Sequence, residues 1–137
     1  MKKVVSLLVV LMLIFSTTAV FAEEISVYVN GEKIEFDRGP QMAEDTVLVP
    51  VRFVAEKLGS TVHWDGETQT VFLSQGSDFS MSQIGNSTMF RDSEEVALKK
   101  APVLNIDRTL VDFTVFENAL NAKVTWDEET STVTIEK

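Results

Sequence analysis

The feature that most constrains this chain is an internal repeat, because residues 25–75 match residues 87–137 without a gap. The best-matched segment sets Thr61-Val62-His63-Trp64-Asp65-Gly66-Glu67-Thr68 against Lys123-Val124-Thr125-Trp126-Asp127-Glu128-Glu129-Thr130, a shift of 62 residues. At that shift 13 of 51 aligned pairs are identical, and the two tryptophans coincide. We interpret the chain as two copies of one unit, each of which is too short to bury a sizeable core alone.

Each copy begins with an alternation of apolar and polar residues that predicts a half-buried β-hairpin. In the first copy Asn30-Gly31 is a strong two-residue turn signal, and a loop there places Val27 opposite Ile34 on one face. The same register in the second copy places Met89 opposite Val96.

A short helix is predicted next in each copy. The first begins with Pro50 in its first position and stops at Gly59, with an apolar stripe at helical spacing formed by Val51, Val54, Ala55 and Leu58. The second has Asp112 as its N-terminal cap and stops at Asn121, with the stripe Phe113, Phe116 and Leu120.

Two further strands close each copy, and their apolar positions are Val62, Trp64, Val71 and Leu73 in the first and Val124, Trp126, Val133 and Ile135 in the second. The segment Ser74-Gln75-Gly76-Ser77 has the composition of a turn, which leaves no linker between the copies. We therefore predict one compact α+β domain of two hairpin–helix–hairpin pseudo-repeats (about 25–75 and 87–137), with antiparallel strands packed on the helices.

The first 22 residues have the three-part pattern of a secretory signal peptide. Lys2 and Lys3 precede an apolar stretch from Val4 to Phe15 that only Ser6 interrupts, and Val20-Phe21-Ala22 has the form of a cleavage site. The alternative is an uncleaved anchor, but the apolar core is much shorter than the roughly 20 residues that span a bilayer. The prediction is a signal peptide at 1–22, a domain at 23–137, and a secreted or cell-surface protein without a membrane span after cleavage.

Charge and composition exclude several functions. The formal charge of −9 becomes −11 when Lys2 and Lys3 leave with the signal peptide, so this acidic protein lacks the basic face of a nucleic-acid binder. The chain has no cysteine, which excludes disulfides, thiolate metal sites and cysteine nucleophiles.

The segment Val47-Leu48-Val49-Pro50-Val51-Arg52-Phe53-Val54-Ala55-Glu56-Lys57-Leu58-Gly59, followed by Val62-His63-Trp64-Asp65, strongly resembles the copper amine oxidase N-terminal-like domain, also called a stalk domain. The resemblance covers nearly all of residues 25–137 and implies a bacterial secreted or surface protein that serves as an accessory or interaction module with the α+β stalk fold. The second copy departs from the motif, because Asp112, Thr114 and Asn118 replace the first copy's proline, arginine and glutamate.

The resemblance does not imply amine oxidation. Copper amine oxidases catalyse that reaction in another domain, with three histidine ligands and a modified tyrosine, whereas this chain has only His63 and Tyr28. We therefore predict no enzyme activity, no catalytic or metal-binding residues and no cofactor.

Each remaining candidate residue has a structural explanation that we favour. His63 lacks a nucleophile partner, so a structural role is favoured over a general base. The acids Asp65, Glu67, Asp127, Glu128 and Glu129 lack the alternation of a calcium loop, so solvated turns are favoured. Trp64 and Trp126 could stack on sugars, but their alternation with polar neighbours favours burial. Arg52 and Glu56 form an exposed helical pair.

The function that fits these observations is a non-enzymatic secreted or cell-surface module that binds a protein or cell-envelope partner. The alternative is a small-ligand or glycan-binding domain, which would need exposed aromatic side chains beside convergent polar groups.

Overall fold

A computed structural model describes residues 24–137, and the predicted signal peptide and its cleavage site lie outside that range. In chain order the elements are strands β1 (Ser26–Val29), β2 (Glu32–Lys33), β3 (Gln41–Ala43) and β4 (Thr46–Pro50), helix α1 (Val51–Lys57), strands β5 (Thr61–Asp65), β6 (Thr70–Gln75), β7 (Asp78–Gln83), β8 (Thr88–Arg91), β9 (Glu94–Ala97), β10 (Val103–Asn105) and β11 (Arg108–Asp112), helix α2 (Val115–Leu120), and strands β12 (Lys123–Asp127) and β13 (Thr132–Glu136).

The predicted α+β class is wrong, because the described residues are mostly β, with 50% in strands and 11% in two short helices. Strands β3, β4, β10 and β11 are the main elements that the hydrophobic pattern did not reveal. The run Val47-Leu48-Val49 in β4 is apolar without alternation, because every residue of this strand is buried. An unbroken apolar run of that length does not distinguish a buried strand from part of a helix.

The described strands form three sheets, and each combines both copies. The mixed sheet has the order β12-β13-β1-β2, the small antiparallel sheet has the order β10-β11-β4-β3, and the five-stranded sheet has the order β5-β6-β7-β8-β9. The predicted arrangement of hairpin–helix–hairpin repeats with antiparallel strands is therefore wrong: the closing hairpin of the second copy joins the opening hairpin of the first, and β1 runs parallel to β13.

The predictions of hairpin register and of helix stops are confirmed, because these features depend on residues that are close together in the sequence. Ile34 N–H donates to Val27 O at 2.9 Å, and Met89 lies opposite Val96, as predicted. The helix stops are also confirmed: Gly59 has φ +89° and Asn121 has φ 56°, both in the left-handed region that ends helices.

Both helix starts differ from the prediction by one or two residues. Pro50 is the residue before α1 rather than its first residue. Asp112 is not the cap of α2, because Thr114 holds that position. The buried Asp112 carboxylate instead accepts hydrogen bonds from Thr114 N–H at 3.1 Å, Thr114 Oγ1 at 2.9 Å, Thr46 Oγ1 at 3.0 Å and Lys99 N–H at 3.1 Å. It thus ties β11 to β4 and to the segment before β10.

One hydrophobic cluster contains buried side chains from both copies, including Val27, Val54, Leu73, Phe116, Leu120 and Ile135. Trp64 and Trp126 pack against this cluster but are only partly buried. Within residues 24–137, neither helix has the length and apolar character needed to cross a membrane.

Candidate functional site

An open groove of about 460 Å³ lies where three elements meet: the start of α1, strand β5 and the turn between β10 and β11. We call it the α1 groove. Its lining residues are Pro50, Val51, Arg52, Phe53, Val62, Trp64, Val71, Leu104, Ile106, Asp107, Arg108 and Thr109. The groove is mostly apolar, and its charged side chains stand at the start of α1 and in the β10–β11 turn.

The rim of the α1 groove on the β10–β11 side carries two exposed apolar side chains. Leu104 is 38% exposed, and Ile106 is 73% exposed, the highest value among the large hydrophobic residues described as exposed. Single exposed apolar residues are ordinary on protein surfaces, whereas apolar residues that continue an apolar groove mark a candidate contact surface.

Ile106 also has an unfavourable backbone. It is the first residue of the two-residue loop between Asn105 and Arg108, and its φ of 57° lies in the left-handed region. That region costs an L-residue about 1–2 kcal/mol and is least compatible with a β-branched side chain. Glu44 in the β3–β4 turn is its counterpart in the first copy and has φ 44°, so the turn shape is shared while the isoleucine is not.

Arg108 anchors the turn to the first copy. Its Nε donates to Asp37 Oδ1 at 3.2 Å, its Nη2 pairs with Asp37 Oδ2, and its guanidinium lies 5.7 Å from the centre of the Phe53 ring. The hydrogen bond from Arg108 is the main reason that the pKa of Asp37 lies below its usual value, and the same bond raises the pKa of Arg108. Both groups are therefore ionised at neutral pH.

Asp107, the second residue of the turn, is held from two sides. Its Oδ1 accepts from Arg38 Nε at 3.3 Å, and its Oδ2 lies 3.6 Å from Arg108 Nη1. A strained residue persists where the surrounding structure determines its conformation. These ion pairs supply that restraint and keep Ile106 at the rim of the groove.

Arg52 covers the edge of the five-stranded sheet beside the groove. Its Nη1 donates to Glu56 Oε1 at 3.1 Å, which confirms the predicted helical pair, and to Val62 O at 3.3 Å. Strand β5 lies at the edge of its sheet, where unpaired backbone groups can accept another strand. Because Thr114 replaces Arg52 in the second copy, this arrangement has no counterpart there.

The other candidates from the sequence do not meet at one site. Trp64 lines the α1 groove, whereas Trp126 lies in strand β12 of the mixed sheet and packs against the hydrophobic cluster. His63 is exposed, with its ring 6.0 Å from that of Phe72. Asp65 Oδ1 and Asp127 Oδ1 each accept a backbone N–H at 3.0 Å, from Glu67 and Glu129, in matching turns.

Among residues 24–137, no three histidine or acidic side chains are placed to hold a metal ion together.

Sequence reasoning missed Asp37, Leu104, Ile106 and Arg108 as parts of a site. The signal lies in the repeat itself, because the alignment sets Ile106 against Glu44 in a turn where a polar residue is expected. The pairing of Arg108 with Asp37 had no comparable signal, since 71 positions separate them.

Comparison with known proteins adds a relative from Brevibacillus choshinensis that is named a protease inhibitor. It is 34% identical to this chain over 128 residues, which cover 90% of the chain and 38% of the relative. The chain therefore spans 38% of the length of that relative.

The family model of the copper amine oxidase N-terminal domain matches residues 28–135, which confirms the predicted resemblance. The N-terminal domain of this family is non-catalytic, consistent with the prediction that the chain is not an enzyme. The chain belongs to the family of copper amine oxidase N-terminal domains.

Proposed function

We propose that this chain is a non-enzymatic extracellular accessory module that binds a protein partner through the α1 groove and the β10–β11 turn. The family supports an accessory role, and both the family and the relative named a protease inhibitor are compatible with an extracellular protein. The partner contact would centre on Ile106 and Leu104.

The observation that carries this proposal is the combination of strain and exposure at Ile106. Asparagine or glycine would fit a φ of 57° with less strain, and a side chain that is 73% exposed adds little to the core. The fold alone therefore does not account for isoleucine at this position. Contact with a partner does, because binding would remove the side chain from water.

The shape of the site favours a protein over a small molecule. Leu104 in β10 and Ile106 in the following turn stand on the rim, where a small ligand inside the groove would leave much of their surface exposed. A protein surface can cover the rim and insert a side chain between Phe53 and Trp64 at the same time. Protein interfaces usually have an apolar centre, in which one or a few side chains are inserted into a pocket, and charged groups around that centre.

The test uses the wild-type domain, an Ile106→Asn variant and a Glu44→Asn control, which introduces the same residue at the equivalent turn position of the first copy. Each is immobilised and exposed to secreted and envelope proteins of the source organism. Purified proteases are assayed in parallel with each variant, because the relative's name makes a protease the first partner class to examine.

We expect a protein that binds the wild-type domain and the Glu44→Asn control but is lost, by about tenfold or more in affinity, with Ile106→Asn. Equal binding to all three proteins would show that the rim is not the contact. Binding of none of the extracted proteins or proteases by the wild-type domain would contradict the proposed function itself.

A further inference from the structure

A row of apolar side chains crosses the outer face of the five-stranded sheet. The strand pairings place His63 beside Phe72, Phe72 beside Met81, and Met81 beside Phe90. We call these four residues the aromatic row. Residues that alternate with them along the strands, such as Trp64 and Leu73, face the core, so the aromatic row lies on the opposite, solvent-facing side.

Ring contacts join two members of the aromatic row to each other and to Phe79, which lies on the same side of β7 as Met81. The ring centres of His63 and Phe72 are 6.0 Å apart, and those of Phe72 and Phe79 are 5.8 Å apart with the planes inclined by 28°. His63 and Phe79 are exposed, while Phe72, Met81 and Phe90 are half-buried. The outer side of an antiparallel sheet is ordinarily polar, so an apolar row there calls for an explanation.

The mixed sheet shows that the fold does not require aromatic side chains at the positions of His63 and Phe72. At the repeat spacing, His63, Phe72 and Phe90 correspond to Thr125, Thr134 and Tyr28. These three are also neighbours in one row, in which Thr125 pairs with Thr134 and Thr134 with Tyr28. Threonine suits strands as well as phenylalanine does, so strand propensity does not explain the difference between the two sheets.

A shallow trough of about 370 Å³ lies along one side of the aromatic row. Phe72, Met81 and Phe90 form its apolar wall, and its polar wall includes Asp65, Thr70, Gln83, Asn86 and Thr88. Backbone N–H groups of Glu67 and Thr68 donate to the Asp65 carboxylate and hold its pKa below the usual value, so the group is an ionised hydrogen-bond acceptor.

We propose that this trough binds a neutral glycan, with sugar rings stacked on the aromatic row and their hydroxyl groups bonded to the polar wall. A pyranose ring has a flat face of C–H groups and an edge of hydroxyl groups. The face of an aromatic ring carries negative charge and attracts weakly positive C–H groups. The trough places aromatic rings for the C–H face of the sugar beside polar groups for its hydroxyl edge, which is the combination that sugar binding requires.

Charge and size favour a glycan over other occupants. Among residues 24–137, Asp65 is the one acid that lines the trough and no lysine or arginine lines it, so an anionic polymer would be repelled rather than bound. A volume of about 370 Å³ falls within the range of roughly 300–1,000 Å³ for small-ligand sites.

The experiment follows the amide spectrum of the folded domain while neutral oligosaccharides are added, using cellotetraose, maltotetraose and chitotetraose, with tetragalacturonic acid as an anionic comparison. The variant is Phe72→Thr, which places at this position the residue type found at Thr134. The matched control is Tyr28→Thr in the corresponding row of the mixed sheet. The dispersion of each variant's spectrum reports whether it is folded.

We expect at least one neutral oligosaccharide to shift amides of β5 to β8 saturably, with affinity reduced about tenfold in Phe72→Thr and unchanged in Tyr28→Thr. No shift with any neutral sugar at about 10 mM would overturn the proposal, because even weak sites with a Kd near 1 mM would be largely filled. The proposal would also be overturned if the domain forms a concentration-dependent dimer whose contacts map to the aromatic row. In that case the face binds a second copy of the chain. Either outcome leaves the protein-binding proposal intact, since Ile106 lies at a different surface.

Discussion

Replacement of Ile106 by asparagine should stabilise the isolated domain. The left-handed backbone at φ 57° costs an ordinary L-residue about 1–2 kcal/mol, and asparagine tolerates it because its short side chain bonds locally. The substitution also has a cost, because Ile106 is 73% exposed and about a quarter of its side chain is therefore buried. Removing that buried part costs about a quarter of the roughly 1.5–3 kcal/mol that a fully buried isoleucine contributes. The net expectation is an increase of about 0.5–1 kcal/mol in the free energy of unfolding.

Urea denaturation followed by tryptophan fluorescence measures this difference, and thermal unfolding should show a rise of about 2–5 °C in Tm. The Glu44→Asn variant is the control, since it relieves strain at the equivalent turn without removing an apolar side chain. We expect Glu44→Asn to gain about 1–2 kcal/mol, because no lost apolar burial offsets the relief of strain at φ 44°. A loss of stability in Ile106→Asn would refute the reasoning, as it would show that Ile106 serves the fold rather than a partner.

Two other side chains give predictions that follow from their hydrogen bonds. Asp112→Ala should lower the free energy of unfolding by about 2–4 kcal/mol in urea titrations, because the buried Thr46 hydroxyl and the part-buried Lys99 N–H lose their acceptor. A loss no larger than that of the exposed Asp107→Ala would contradict this. Asp37→Asn should remove part of the acid sensitivity. Since the pKa of Asp37 in the folded state is lowered by Arg108, its contribution is complete above the unfolded pKa of about 4 and is lost as the pH falls through the lower folded value. The urea midpoints measured at about pH 6 and pH 2 should therefore differ less in Asp37→Asn than in the wild type. An unchanged difference would show that the Asp37–Arg108 ion pair does not contribute to the acid sensitivity.

The sequence alone was sufficient for features that depend on residues close together in the chain. The Asn30-Gly31 turn and the register around it follow from local geometry, and so do the positive-φ helix stops at Gly59 and Asn121. The family match was likewise visible in one run of residues around Arg52, because that segment keeps its order and spacing.

Only the tertiary structure decided how the hairpins combine. Alternation predicts that Val27 and Val133 belong to strands, but it does not show that β1 lies parallel to β13 with these residues side by side. Pairings across about 100 positions depend on which apolar faces fit together in one core, and that is a property of the whole chain. The predicted hairpin–helix–hairpin units failed for this reason.

The two candidate surfaces have the same origin. Ile106 is exposed in the turn before β11, and that turn is held by Arg108, whose partner Asp37 comes from the other copy. Phe72 and Phe90 are ordinary strand residues in the sequence, and they become neighbours of one row only because β7 lies between β6 and β8. Sequence patterns determine which side of a strand a residue occupies relative to its neighbours; the packing of sheets determines which side faces water.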